Sequence, residues 1–227
     1  MAEKPFLPLA HGKFSYLLIS LIVLLLLFPI VSEVFIERVI FDVFLSIVLL
    51  SAVYTVSPKK HVFTIALLLS LPTFAGIWST YFLKNFYVTL VGWSFAVAFF
   101  GFIGIIVLSD VLKAEKVTTD TIYAAICVYL LIGVTWALLY SVMEGIRPES
   151  FVVAHAQLSN ATEYIPHFLY YSFVTLTTLG FGDITPITPA AKSFSYMEAV
   201  TGQIYVAVLI ARLVGLHIAH SMKKDSS

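Results

Sequence analysis

An all-α membrane protein is the fold class this sequence predicts, and three observations predict it. Sixty per cent of the residues are hydrophobic and 15 per cent aromatic, against 11 per cent charged, a make-up far from that of water-soluble domains. The apolar residues gather into six long segments, at 14–31, 39–56, 62–83, 86–108, 121–142 and 189–217, each near the about 20 residues that a helix needs to cross a bilayer. Between the last two lies a shorter aromatic and threonine-rich stretch, too short to cross, followed by Gly180-Phe181-Gly182.

The charge balance narrows the partners. The formal net charge is zero, so nothing points to nucleic acid, and membrane lipid is the expected surrounding. Cys127 is the single cysteine and lies inside an apolar segment, where it anchors no disulfide framework. No cysteine-based metal site and no cofactor are expected. No nucleophile, base and orienting group stand together and no phosphate-binding loop is present, so the chain is not expected to be an enzyme.

Taken in order, the first segment follows Lys4 and Lys13 in the manner of a secretory signal. It is longer than a signal core and lacks an Ala-x-Ala site, which makes it a retained span. Ser57-Pro58-Lys59-Lys60 ends the second segment and reverses the chain, since proline breaks the helix. Pro72 predicts a kink in the third. Asp42 follows Arg38 by four positions; a surface ion pair and a sensing or ion-pathway role are both open. Gly92, Gly101 and Gly104 in the fourth segment suit close helix packing. That segment, 86–108, has no basic residue. Each charge moved through the membrane field supplies about 2.3 kcal/mol per 100 mV, so voltage dependence is expected to be weak at most.

The linker 109–120 is short, with Thr119 or Asp120 available to cap the fifth helix. The polar loop 143–166 carries Glu144, Glu149 and Glu163, expected to be solvated. Pro166 suits the first turn of a short helix reaching Thr178, and Thr188-Pro189 a cap and first position for the last helix. With the N-terminus inside, nine Lys/Arg residues are cytoplasmic and four (Arg38, Lys84, Arg147 and Lys192) lie outside. That bias puts both termini on the cytoplasmic side. With ten residues after His217, no regulatory domain is expected in this stretch.

The run Thr177-Thr178-Leu179-Gly180-Phe181-Gly182-Asp183 carries the chemistry. Glycine takes positive φ without steric penalty, so alternate glycines let successive carbonyls face one side. Rows of such oxygens can replace the water shell of a cation. The run closely resembles the potassium channel signature T-T-x-G-[YF]-G-D. From Thr121 onward, the order helix, polar loop, short helix, signature, helix also resembles the minimal potassium channel pore.

The resemblance implies six transmembrane helices with a re-entrant pore helix and selectivity filter between helices 5 and 6. It divides the chain into a four-helix domain at 1–116, in the position of a voltage sensor but without gating arginines, a pore domain at 117–221 and a short cytoplasmic tail at 222–227. Thr178, Leu179, Gly180 and Phe181 would coordinate K+, Thr178 with carbonyl and hydroxyl, and Gly182 would shape the outer mouth. Asp183, Thr177, Tyr170 and Tyr171 would support the filter, although the two tyrosines also fit as membrane-interface aromatics. Leu179 stands in place of a β-branched residue and Phe181 in place of tyrosine, which removes a hydroxyl that ties the filter to its surround. Val174 stands where some bacterial members carry a glutamate.

In the last helix, Gly202 falls at the spacing of a hinge glycine, with close packing as the rival. Gln203, Val206, Ile210 and Val214 would face the central cavity. Glu198 is an intramembrane acid, either a structural hydrogen bond behind the pore helix or a titrating bias on gating. Arg212 is expected to extend to the interface. One signature per chain implies a homotetramer conducting K+ across a plasma membrane. A nonselective cation channel, and a nonconducting subunit or secondary transporter, are the alternatives.

Overall fold

The structure is a computed structural model and describes residues 12–27, 35–83, 85–154 and 164–225. Seven helices and two short strands follow in order: α1 Ser15–Leu27, α2 Phe35–Val56, α3 Lys60–Phe82, α4 Phe86–Lys113, α5 Thr119–Ile146, β1 Phe151–Val153, α6 Tyr164–Leu176, β2 Ile184–Pro186 and α7 Pro189–Asp225. Among the described residues, five helices hold segments long and apolar enough to cross a membrane, Val39–Val56, Lys60–Ser79, Phe86–Lys113, Thr119–Ile146 and Pro189–Leu216. This is a multi-pass membrane protein. α1 is apolar but has 13 residues, short of a full span; the predicted continuation at 28–31 lies outside the described residues. So do residues 1–11, Lys84, Glu163 and the Arg38 side chain, and with the last the predicted Arg38–Asp42 pair.

Local chemistry sets the helix ends. Ser57 and Pro58 separate α2 from α3, because a helix rarely continues through the residue before proline. The Asn85 side chain caps α4 by accepting from the Tyr87 backbone N–H at 3.0 Å. α5 starts earlier than Thr119 or Asp120 as cap would allow: Thr118 is the cap and accepts from Thr121 N–H at 3.2 Å. Asp120, freed from that task, accepts from the Phe14 backbone N–H at 3.3 Å and ties α1 to α5. α7 begins as its residues dictate, with Pro189 first and Thr188 Oγ1 accepting from Ala191 N–H at 3.3 Å. It runs on to Asp225, so residues 222–225 of the expected tail continue the helix.

The helices pack in chain order, α3 on α4, α4 on α5, and α5 on α6. α3 and α4 meet at Gly76 and Gly92, where a Cβ on Gly92 would lie 2.4 Å from Gly76 Cα. Only glycine at both positions permits that approach. Gly101 and Gly104 face Thr135 and Leu131 of α5 at ordinary contact distances, 3.7 and 3.9 Å from a built Cβ. α4 offers Phe99, Phe100, Ile103 and Val107 to the core, all nearly inaccessible.

Three charged residues find partners in the folded chain. Asp42 is buried and accepts from Tyr81 Oη at 2.7 Å, so α3 supplies it a partner that sequence spacing did not reveal. Arg212 donates to the carbonyls of Val111 and Ala114 at 3.4 and 3.0 Å. It thus reaches the carbonyls at the end of α4, where the last helical carbonyls run out of intrahelical donors. Glu144 is buried rather than solvated, because α5 continues to Ile146 and the chain then folds back over it.

Candidate functional site

The run 177–183 links the end of α6 to β2. α6 is stopped by a paired hydrogen-bond motif: Thr178 N–H donates to Thr175 O and Leu179 N–H to Val174 O, both at 2.9 Å. That pattern requires a left-handed residue at Thr178, normally a glycine. Thr178 has φ 61°, and a β-branched residue there is strained. Strain of this kind, on the order of 1–3 kcal/mol per residue, persists where surrounding structure enforces it. Gly180 and Gly182 have φ 60° and 81°, so every second residue from 178 to 182 is left-handed. Leu179 and Phe181 between them keep negative φ and project outward, 61% and 66% exposed in the single chain.

Behind the run, α6 and a small antiparallel sheet hold it at both ends. β1 pairs with β2 in the register Phe151↔Pro186, Val152↔Thr185 and Val153↔Ile184. One step further, Ala154 N–H donates to Asp183 O at 2.7 Å. Asp183 Oδ1 accepts from Ile184 N–H at 3.1 Å, and Tyr170 lies on the exposed side of α6. Tyr171 points to the other side of α6, its hydroxyl 2.7 Å from Ser195 Oγ of α7. Thr177 turns its hydroxyl back to Phe173 O at 2.6 Å, closing the helix.

A ring cluster packs the sheet against α5 and α6. Phe151 meets Phe168, Tyr140 and Tyr171 at centroid distances of 4.8, 5.3 and 5.5 Å. Sequence reasoning missed Phe151, Tyr140 and Glu144 as supports. The loop 143–166 reads as polar overall, and only the Phe151-Val152-Val153 run within it hints at a strand.

α7 is buried at some positions and exposed further along. Ser195, Glu198 and Gly202 are buried against the rest of the chain, with a Cβ on Gly202 2.4 Å from Leu176 O. Close packing thus occupies the position expected for a hinge. Gln203, Val206, Ile210 and Val214 lie further along the helix and are exposed in the single chain. The six gating candidates therefore split into two buried and four exposed residues.

Residues 116–217 match the family model described as an ion channel. Over 86 residues the chain is 37% identical to two pore potassium channel c of Oryza sativa subsp. japonica, a stretch that is 38% of this chain and 16% of that protein. Over 120 residues it is 32% identical to two-pore potassium channel 3 of Arabidopsis thaliana, 52% of this chain and 24% of the other. The matched stretches thus span a quarter or less of these relatives' lengths. No solved structure matches the chain. Signature, element order and family match agree, and residues 116–217, a little under half of the chain, belong to the potassium channel superfamily.

Proposed function

We propose that four copies of this chain assemble into a potassium-selective channel of the plasma membrane, conducting passively along the electrochemical gradient. The observation that carries the reading is the left-handed backbone at Thr178, Gly180 and Gly182 within a Thr-Thr-Leu-Gly-Phe-Gly-Asp run. Alternation of this kind lets the carbonyls of Thr178, Leu179, Gly180 and Phe181 turn to one axis and take the place of water around K+. Gly182 opens the outer mouth, and Asp183, Thr177, Tyr170 and Tyr171 hold the run from behind. α6 is then a re-entrant helix, a path tolerated at membrane depth only inside protein or water. Its carboxyl end, the negative end of the dipole, points toward the cavity.

Enclosing an ion takes four such strands. The relatives are named two-pore channels, whereas this sequence carries one signature, so four copies are needed for four strands. The exposed face of α7 with Gln203, Val206, Ile210 and Val214 lines the cavity below, and Ile210 and Val214 form a constriction that closes by dewetting. Residues 1–116 form a four-helix domain packed on the pore, 117–221 the pore and 222–227 a tail. Both termini are cytoplasmic by the basic-residue bias, and voltage dependence is weak. Phe181 in place of tyrosine favours one second reading, a looser filter that passes Na+ as well. The test is the mass of the detergent-purified complex together with its reversal potential between K+ and Na+ solutions in a planar bilayer. Four copies and a reversal potential near that of K+ support the proposal; a reversal potential near zero supports the nonselective reading.

A further inference from the structure

A polar side chain buried in protein costs free energy unless its hydrogen bonds are made. Glu198 of α7 is completely buried. One carboxyl oxygen accepts from Tyr140 Oη of α5 at 2.6 Å, and the other meets Ser172 Oγ of α6. The same Ser172 hydroxyl lies 2.8 Å from the Gly133 carbonyl oxygen of α5. Glu198 therefore joins three helices at one point.

Two contacts flank it on the same face of α7. Toward the start of α7, Ser195 meets Tyr171 of α6 at 2.7 Å; toward its end, Gly202 abuts the Leu176 carbonyl. Positions 195, 198 and 202 share a face by helical spacing. Their partners Tyr171, Ser172 and Leu176 descend α6 to the residue before the 177–183 run. At the end of α6, the carbonyls of Val174 and Thr175 hold the N–H groups of Leu179 and Thr178. A displacement of α6 is thus passed directly to the residues proposed to coordinate the ion.

We infer that Glu198 is a positioning residue for the selectivity of the pore. Through Ser172 it fixes α6 against α5 and α7, so the spacing of the carbonyls depends on an acid that touches no ion. The inference rests on the reading of 177–183 as the ion path. It also couples α7 to that path: movement of α7 above Gly202 is carried into α6, and bending is confined below it.

The test uses the full chain reconstituted in planar bilayers, with the reversal potential between K+ and Na+ solutions and the thermal unfolding of each complex measured side by side. The variants are Glu198→Gln, Ser172→Ala and Tyr140→Phe. Glu198→Gln and Ser172→Ala are expected to move the reversal potential toward zero. Tyr140→Phe removes only the α5 bond, and is expected to lower the unfolding temperature while leaving the reversal potential in place. If Glu198→Gln does not assemble, Ser172→Ala decides alone. Wild-type reversal potentials in both Glu198→Gln and Ser172→Ala, whatever the loss of stability, overturn the inference. Equal shifts in all three variants also overturn it, because the route through α6 is then not the one that matters. A wild-type protein that carries Na+ as readily as K+ contradicts the filter reading itself, before any variant is compared.

Discussion

Glu144 Oε2 accepts the backbone N–H of Ser150 at 3.0 Å. The same oxygen accepts from Phe151 N–H at 3.1 Å, and Oε1 accepts from Glu149 N–H at 2.8 Å. One carboxylate thereby closes the turn in which Glu149 takes φ 66°. Ser150 in turn accepts through its carbonyl from Ile187 N–H at 2.8 Å, so the turn fastens the chain on both sides of the 177–183 run. Glu144→Ala leaves these donors without their acceptor, at about 1–3 kcal/mol for each buried group left unpaired. Thermal unfolding of the purified protein is expected to fall clearly. An unfolding temperature equal to wild type would show that water replaces the carboxylate there.

The contact between Gly76 and Gly92 makes a second prediction about the first four helices. Gly92→Ala places a Cβ 2.4 Å from Gly76 Cα, backbone that has no rotamer to yield. Overpacking of this kind costs about 1–3 kcal/mol. Gly101→Ala is the control, since its Cβ meets only Thr135 Cγ2, at 3.7 Å. It is expected to be tolerated or slightly stabilising, as alanine favours helix over glycine by about 1 kcal/mol. Equal destabilisation by both substitutions in a detergent unfolding assay would contradict the packing account.

Arg212 holds α7 to the end of α4 through the Val111 and Ala114 carbonyls. Arg212→Met keeps much of the apolar stem and deletes both donors. A loss of about 1 kcal/mol is expected, at the scale of ordinary net hydrogen bonds, together with a changed open probability if α7 moves during opening. Unchanged stability and unchanged open probability together would mean that the contact is idle.

Charge movement is the fourth prediction. α4 carries only Asp110 and Lys113, both in its final turn, and Asp110 is paired with Lys59 and with Lys13 at 3.5 Å. Charges held at one end of a helix cross little of the field, whereas a full crossing is worth about 2.3 kcal/mol per charge per 100 mV. Open probability is expected to be nearly flat with voltage. Steep activation in tail-current measurements would require gating charge from residues assigned none here.

What was legible in the sequence was local in the chain. Ser57-Pro58 and Thr188-Pro189 mark helix boundaries because their backbone effects act within a few residues, and 177–183 can be recognised because its glycines set backbone shape in place. Glu144 was not legible: three backbone donors surround it only once the chain reverses beyond Ile146. β1 and β2 are three residues each, too short for alternation to register, and they pair across the whole of α6. Ser172 and Tyr140 reach Glu198 over 26 and 58 residues of sequence, so an acid in an apolar helix announced a role without naming its partners.

The most direct measurement is potassium flux into proteoliposomes, with sodium as the competing cation, for wild type and Gly180→Ala. Gly180 has φ 60° and nothing lies within 4 Å of a Cβ built on it, so within one chain the substitution acts through the backbone alone. A left-handed alanine costs roughly 1–2 kcal/mol, and four copies would bear it together around one ion path. Potassium-selective flux in the wild type, lost in Gly180→Ala, is the predicted result. Selective flux that survives the substitution unchanged would contradict the assignment of 177–183 as the path of the ion.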